Sequence, residues 1–210
     1  MIIKINKTIK KYFYQGLIYG FGSGFDAIIG FLVLPIYASS FSTKEYGIFS
    51  ILVLISTLSQ AFFYLGASSA LNRSYFDYKD YNQRKKVAST SLYITFLGAL
   101  IQIMMGLFFA ENLSLIFFGT ADYKIHILLI LVSSALRFMS QLFYLVLRLL
   151  MKSLHVVSIS ILTSLVFVGI LLYLLETSNL GILSPVIALV CSNALSLIIL
   201  FFWCKKYFSF

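Results

Sequence analysis

Six stretches of the chain are each long and apolar enough to cross a lipid bilayer. A transmembrane helix needs about 20 mostly apolar residues to cross roughly 30 Å of hydrocarbon. The stretches that meet this requirement are 16–39, 46–71, 87–110, 125–147, 156–175 and 182–203. Helices are expected rather than a barrel, because barrel strands would give short segments of alternating hydrophobicity. The sequence therefore predicts an all-α, polytopic membrane protein with six transmembrane helices.

The composition excludes soluble and disordered classes of protein. Apolar residues make up 60% of the 210 residues and charged residues 11%. Soluble domains average about 45–50% apolar, even with glycine counted, and about 25% charged. A chain with so little polar surface could not cover a water-soluble globule. Disordered chains, collagens and coiled coils need polar, glycine-periodic or heptad compositions, which this sequence lacks.

The basic residues are concentrated on one side of the predicted membrane. Thirteen of the 16 lysines and arginines lie before span one, after spans two and four, or after span six. Lys44 and Lys124 lie in the opposite loops, and Arg137 lies inside span four. Cytoplasmic loops carry such an excess of basic residues, so both termini are predicted to be cytoplasmic. This distribution also explains the net charge of +9, and no nucleic-acid partner is expected.

Two ionisable residues fall inside the predicted spans. Asp26 in span one and Arg137 in span four each lie ten residues from the inner end of their span. At about 1.5 Å per residue, both are roughly 15 Å deep. Charged groups at this depth are costly, so each is a functional candidate. A salt bridge between the two, or a shared water-filled cavity, would lower that cost.

Further polar residues lie at the same depth or on the same helix face. Gln60 in span two lies at a similar depth, and Arg73 ends span two as a membrane anchor or as a phosphate contact at the cytoplasmic mouth. A stripe with spacings of three and four residues on span four contains Ser134, Arg137, Gln141, Tyr144 and Arg148. A face of span one contains Tyr19, Gly22, Asp26, Gly30 and Tyr37.

Polar stripes of this kind should not face lipid. They are expected to orient the bundle through a buried salt bridge, or to line a cavity that meets an anionic substrate or couples to an ion. Two arginines on one stripe favour an anionic ligand, since guanidinium groups pair well with phosphate and carboxylate. Gly16, Gly20 and Gly24 repeat at four-residue steps and predict a separate face of close helix contact.

No arrangement of residues in the sequence points to catalysis, a metal or a cofactor. Cys191 and Cys204 are separated by about 20 Å along span six, too far for a disulfide. An enzyme such as a glycan polymerase would need a large outer loop with catalytic residues, whereas the longest outer loop covers only residues 111–124. The chain is therefore expected not to be an enzyme.

Residues 34–77 carry a set of short motifs that resemble a known family. The motifs are Leu34-Pro35, Glu45-Tyr46-Gly47, Leu65-Gly66, Arg73 and Tyr75-Phe76. They resemble the N-terminal region of oligosaccharide flippases, the polysaccharide biosynthesis proteins of the multidrug/oligosaccharidyl-lipid/polysaccharide exporter superfamily. The glycine-rich first span after a basic leader and the six-span layout agree with this resemblance over the whole chain.

The resemblance implies a function, a substrate and a location. Such proteins flip undecaprenyl-diphosphate-linked oligosaccharide across the bacterial plasma (inner) membrane for O-antigen, capsule or exopolysaccharide biosynthesis. Two six-span lobes surround a central cationic cavity and rock to give alternating access. Asp26, Arg73 and Arg137 carry over only as candidates for that cavity, where the arginines would meet the diphosphate or acidic sugars.

The chain differs from this family in length. Residues 1–210 are expected to form a single six-helix lobe, without the C-terminal lobe. The second lobe would belong to the missing half of a truncated gene, to a second protein, or to a second copy in a homodimer. Two other functions remain open at this point. They are a drug or metabolite exporter of the same superfamily, and a non-transporting membrane partner in an envelope-glycan complex.

Overall fold

The computed structural model describes residues 2–64, 66–78 and 80–208, without the side chains of residues 2–9, 11 and 12. The described residues form helices and connecting turns, and no strand occurs among them. The helices are α1 (Ile2–Ser40), α2 (Thr43–Phe63), α3 (Ala67–Ser74), α4 (Tyr81–Phe118), α5 (Lys124–Leu149), α6 (Ser153–Thr177) and α7 (Leu183–Cys204). A 3₁₀ turn, Lys205–Tyr207, follows α7. The all-α prediction is confirmed.

Six of these helices are long and apolar enough to cross a membrane: α1 from Phe13 onward, α2, α4, α5, α6, and α7 with the turn that follows it. This agrees with the six predicted spans, and the chain is a multi-pass membrane protein. The helices extend beyond the apolar stretches in several places. In α4, for example, the N-cap is Asp80, whose carboxylate accepts the Asn82 N–H, and the helix ends at Gly119 in the left-handed conformation.

The second predicted span, residues 46–71, is wrong as a single helix. The structure ends α2 at Phe63 and starts the short helix α3 at Ala67. Between them Gly66 has a φ of 66°, a left-handed conformation that glycine adopts readily and that an α-helix cannot contain. The apolar sequence continues through this break, which is why hydropathy alone predicts one longer helix.

Helix α5 is the centre of the bundle. It packs against α2, α4, α6 and α7 and buries side chains along most of its length. Toward its N-terminal end, Ile127 and Ile130 belong to a core that includes Leu52 of α2. Toward its C-terminal end, Phe143 belongs to a core that includes Leu200 of α7. The central position of α5 fixes which of its faces can remain open to a cavity.

Helix α1 lies at the edge of the bundle and packs mainly against α6. The close approach is at Gly22, where an added Cβ would lie 2.7 Å from Cγ2 of Val157. The predicted contact face of Gly16, Gly20 and Gly24 is wrong, because a Cβ at any of these three glycines would meet nothing within 4 Å. The face of α1 that carries Gly22 also carries Asp26, so the packing on α6 sets the position of this carboxylate.

Candidate functional site

A cavity of about 490 Å³ lies between α1, α5, α6 and α7, and we call it the polar cavity. Volumes of a few hundred Å³ are typical of sites for small molecules. Side chains with charged, amide or hydroxyl groups line much of its wall: Asp26, Tyr37, Arg137, Ser140, Gln141, Tyr144, Ser160, Thr163, Ser164, Ser192, Asn193 and Ser196. They lie within the membrane-length helices, so the protein carries a polar compartment at membrane depth.

Asp26 and Arg137 both open onto the polar cavity, and both side chains are exposed. They form no salt bridge, since the single ion pair found among the described residues joins Lys124 to Glu111, at 3.5 Å. The expected pairing of Asp26 with Arg137 is therefore wrong. The alternative, a cavity that both charges share, agrees with the geometry. Exposed charges in membrane-length helices imply that water or a polar ligand solvates them.

Two serines of α6 hold the Asp26 carboxylate. Ser160 Oγ donates a hydrogen bond of 2.6 Å to Oδ2, and Ser164 Oγ donates one of 2.8 Å to Oδ1. The serines are four residues apart and thus lie on one face of α6, so both can reach the same carboxylate. Asp26 therefore links α1 to α6 and still presents its charge to the cavity.

Arg148 lies in a second cavity, of about 460 Å³, between α1, the end of α5 and the start of α6. Its guanidinium carbon is 6.0 Å from the centroid of the Tyr19 ring. This second cavity shares Asp26 and Ser160 with the polar cavity. The Asp26–Ser160 hydrogen bond therefore lies where the two cavities meet, with an arginine on each side.

The predicted stripe on α5 divides between two environments. Arg137, Gln141 and Tyr144 line the polar cavity, and the Tyr144 hydroxyl lies 3.2 Å from that of Ser196 on α7. Ser134 is buried instead, in hydrogen-bond contact with the Gln102 amide of α4. The Gln102 amide also donates to the Leu131 carbonyl at 3.0 Å. The N-terminal part of the stripe thus joins helices, and the C-terminal part faces the cavities.

Two of the predicted site residues lie outside both cavities. Gln60 is half-buried near the end of α2, where its backbone carbonyl accepts the Tyr64 N–H at 3.0 Å. Arg73 is exposed on α3, beyond the break at Gly66. Neither side chain lines the polar cavity. The break after α2 invalidates the depth estimate for Gln60, which was measured along one continuous helix.

The polar side chains that α6 and α7 contribute to the cavity were not predicted from the sequence. On α6 they are Ser160, Thr163 and Ser164, and on α7 they are Ser192, Asn193 and Ser196. In the sequence these residues recur at steps of three and four residues within two otherwise apolar spans, which is a weak pattern. Serine and threonine also occur in lipid-facing helices because their hydroxyls bond to their own backbone, as Thr163 does with the Ile159 carbonyl. Such a pattern alone does not identify a cavity.

The double exchange of Asp26 and Arg137 is expected to give no recovery of function. Each single change, Asp26→Arg or Arg137→Asp, reverses one charge in a cavity where the two groups form no salt bridge with each other. The exchange places an arginine against Ser160 and Ser164, which can no longer donate to a carboxylate. Glycan export in a complementation assay should be as low in the double variant as in the worse single variant. Export clearly above both single variants would show a direct coupling that this geometry does not contain.

Comparison with known proteins identifies the family. The model of a family described as "polysaccharide biosynthesis protein" matches residues 14–210. No curated protein and no solved structure matches the chain. The chain therefore belongs to the polysaccharide biosynthesis protein family, as the motifs in residues 34–77 predicted. Family membership and six membrane-length helices together indicate a polysaccharide-related membrane transporter.

Proposed function

We propose that this member of the polysaccharide biosynthesis protein family flips lipid-linked oligosaccharide across the bacterial plasma membrane, with the polar cavity as part of the path. The substrate would be an undecaprenyl-diphosphate-linked oligosaccharide for a surface polysaccharide. The observation that carries the proposal is that Asp26 and Arg137, from two separate helices, expose their charged groups to one cavity in the membrane-length part of the bundle.

The chemistry of the cavity wall suits such a substrate. Arg137 supplies a permanently charged, planar group that binds phosphate through two parallel hydrogen bonds. The serines and threonine of α6 and α7, together with Gln141 and Asn193, provide donors and acceptors that match sugar hydroxyls. A transported headgroup that is polar, bulky and anionic could exchange its water for these groups. The prenyl tail would remain in the surrounding lipid.

The geometry of the cavity also favours a second helical body. Helices α1 and α5 both line the polar cavity, yet they make little direct contact with each other. A second six-helix lobe, from further chain, another protein or a second copy, would complete the wall between them. Lobes with an even number of spans share one orientation in the membrane, which permits a parallel repeat. Rocking of the two lobes would then expose the cavity to one face at a time.

The proposal is tested in the bacterium from which the chain comes, by deleting the gene and locating the lipid-linked oligosaccharide. The completed intermediate should accumulate at the inner leaflet, where an enzyme added to inverted membrane vesicles can digest it and one added to intact spheroplasts cannot. Expression of the deleted gene from a plasmid should restore the intermediate to the outer leaflet and restore surface polysaccharide.

Other outcomes would contradict the flippase proposal in distinguishable ways. A non-transporting partner in glycan assembly would lower the total amount of completed intermediate and leave its distribution between leaflets unchanged. A drug or metabolite exporter would leave the glycan unaffected and change the sensitivity of the cell to toxic compounds. Accumulation at the inner leaflet is expected only if the protein takes part in the translocation step.

A further inference from the structure

An apolar cleft lies between α4, α5 and α7, and its wall shares no residue with the polar cavity. Its volume is about 460 Å³, and its wall includes Leu92 and Phe96 of α4, Phe143 of α5, and Leu197, Phe201 and Phe202 of α7. Almost none of the exposed wall is polar. All three helices are long and apolar enough to cross a membrane, so an apolar wall between them suits contact with lipid chains.

One lysine contacts the wall of this cleft where α7 ends, and two more lie against the ring of the neighbouring Tyr207. Lys205 Nζ lies 5.8 Å from the centroid of the Phe202 ring, which forms part of the cleft wall. Lys152 Nζ donates a hydrogen bond to the Tyr207 hydroxyl, and Lys206 Nζ lies 5.3 Å from the Tyr207 ring. We call these three lysines, from the start of α6 and the end of α7, the lysine rim.

The lysine rim is continuous with the apolar cleft through aromatic contacts. Phe208, next to Tyr207, has its ring centroid 5.3 Å from that of Phe143, which lines the cleft. None of the three lysines forms a salt bridge with a carboxylate in the part of the chain that the structure describes. Positive charge at the end of an apolar cleft is complementary to a molecule with an anionic head and a hydrocarbon tail.

We propose that this cleft binds an anionic phospholipid of the membrane, with one acyl chain between α4 and α7 and the phosphate on the lysine rim. Basic pockets between transmembrane helices bind anionic headgroups, and an acyl chain gains stability with each CH₂ that it buries. The site is separate from the polar cavity and does not depend on the proposed transport function. A lipid held there would brace α4 against α7, two helices that the structure joins mainly through α5.

The test measures binding of defined lipids to the purified full-length chain in mild detergent by native mass spectrometry. Phosphatidylglycerol and phosphatidylcholine with identical acyl chains are compared. The wild-type protein should bind phosphatidylglycerol at least about fivefold more tightly. Lys205→Gln should lower the affinity for phosphatidylglycerol about fivefold, since one lysine near a lipid surface contributes about that factor, and should leave phosphatidylcholine unchanged.

Lys44→Gln is the matched control for charge. Lys44 is exposed, lies in the first turn of α2 and has no part in the cleft. This variant should bind phosphatidylglycerol as the wild type does. Equal losses in Lys205→Gln and Lys44→Gln would mean that the lipid responds to net charge only, which would overturn the proposal. Equal affinity of the wild type for the two lipids would overturn it as well.

A second pair of variants tests the acyl chain. Ile198 lines the cleft and is 53% exposed, whereas Ile94 on α4 is 38% exposed and is not part of the wall. Ile198→Trp should fill the cleft and weaken binding of phosphatidylglycerol severalfold, and Ile94→Trp should not. Unchanged binding in Ile198→Trp would exclude the cleft as the site of the chain. Soluble glycerol phosphate should not compete, and full competition by it would show a phosphate site rather than a lipid site.

Discussion

Replacement of Arg137 by alanine is expected to abolish glycan export in a complementation assay, with a normal amount of protein in the membrane. Arg137 is the one basic side chain that lines the polar cavity among the described residues. Removing the arginine from an arginine–phosphate pair that is shielded from water costs about 2–5 kcal/mol of binding free energy. This corresponds to a loss of at least about thirtyfold in affinity. Because Arg137 is exposed and forms no salt bridge, the fold should tolerate the change.

Two further variants separate the substrate role of Arg137 from a structural one. Arg137→Lys keeps the charge and loses the planar pair of donors, so export should be partial. Lys44→Ala removes an exposed basic residue that lines neither the polar cavity nor the second cavity, and export should be normal. Surface polysaccharide and an immunoblot of the membrane fraction give the two readouts. Loss of Arg137→Ala protein from the membrane would instead indicate that the arginine holds the bundle together.

The spans could be predicted from the sequence, but the break after α2 could not. Hydropathy reports how apolar a stretch is, and residues 61–65 remain apolar through the end of the helix. The break depends on a single backbone conformation, the positive φ of Gly66. Glycine occurs elsewhere inside continuous helices of this chain, as at Gly98 of α4. Its presence alone therefore does not predict where a helix stops.

For the candidate site, the sequence predicted how deep the two charged residues lie in the membrane, but not which side chains surround them. Counting residues from the span ends placed Asp26 and Arg137 at one level, and both line one cavity. Their partners depend on the rotation of each helix about its own axis, which tertiary packing sets. The close contact of Gly22 with Val157 brings the Asp26 face of α1 onto α6. The hydroxyls of Ser160 and Ser164 then donate hydrogen bonds to the Asp26 carboxylate, which was expected to pair with Arg137.

The spacing of the glycines also failed to predict which residues of the helices come into close contact. A four-residue spacing on α1 predicted close packing for Gly16, Gly20 and Gly24, which have open space instead. The glycines that other helices approach are Gly22, Gly98 and Gly106, and no two of them lie four residues apart. Small residues permit a close approach but do not cause one, so the contact depends on what the partner helix presents. At Gly98 the partner presents a backbone atom, which makes this position the least tolerant of a side chain.

Gly98→Ala is expected to destabilise the protein by about 3 kcal/mol, toward the upper end of the usual cost of overpacking. An added Cβ would lie 2.4 Å from the backbone carbonyl oxygen of Phe63 and 3.5 Å from the Phe138 ring. Phe63 is the last residue of α2, and its carbonyl oxygen lies so close to α4 that position 98 has room for a hydrogen but not for a methyl group. This clash can be relieved only if α2 and α4 move apart, because a backbone oxygen cannot rotate away as a side chain does.

The matched control is Gly169→Ala on α6, where an added Cβ meets nothing within 4 Å. Alanine should stabilise that helix by up to about 1 kcal/mol, because glycine has the poorer helix propensity. Equilibrium unfolding in mixed detergent micelles measures both free energies, and the two variants should move in opposite directions from the wild type. Equal stability of both variants would mean that α2 and α4 are further apart than 2.4 Å implies.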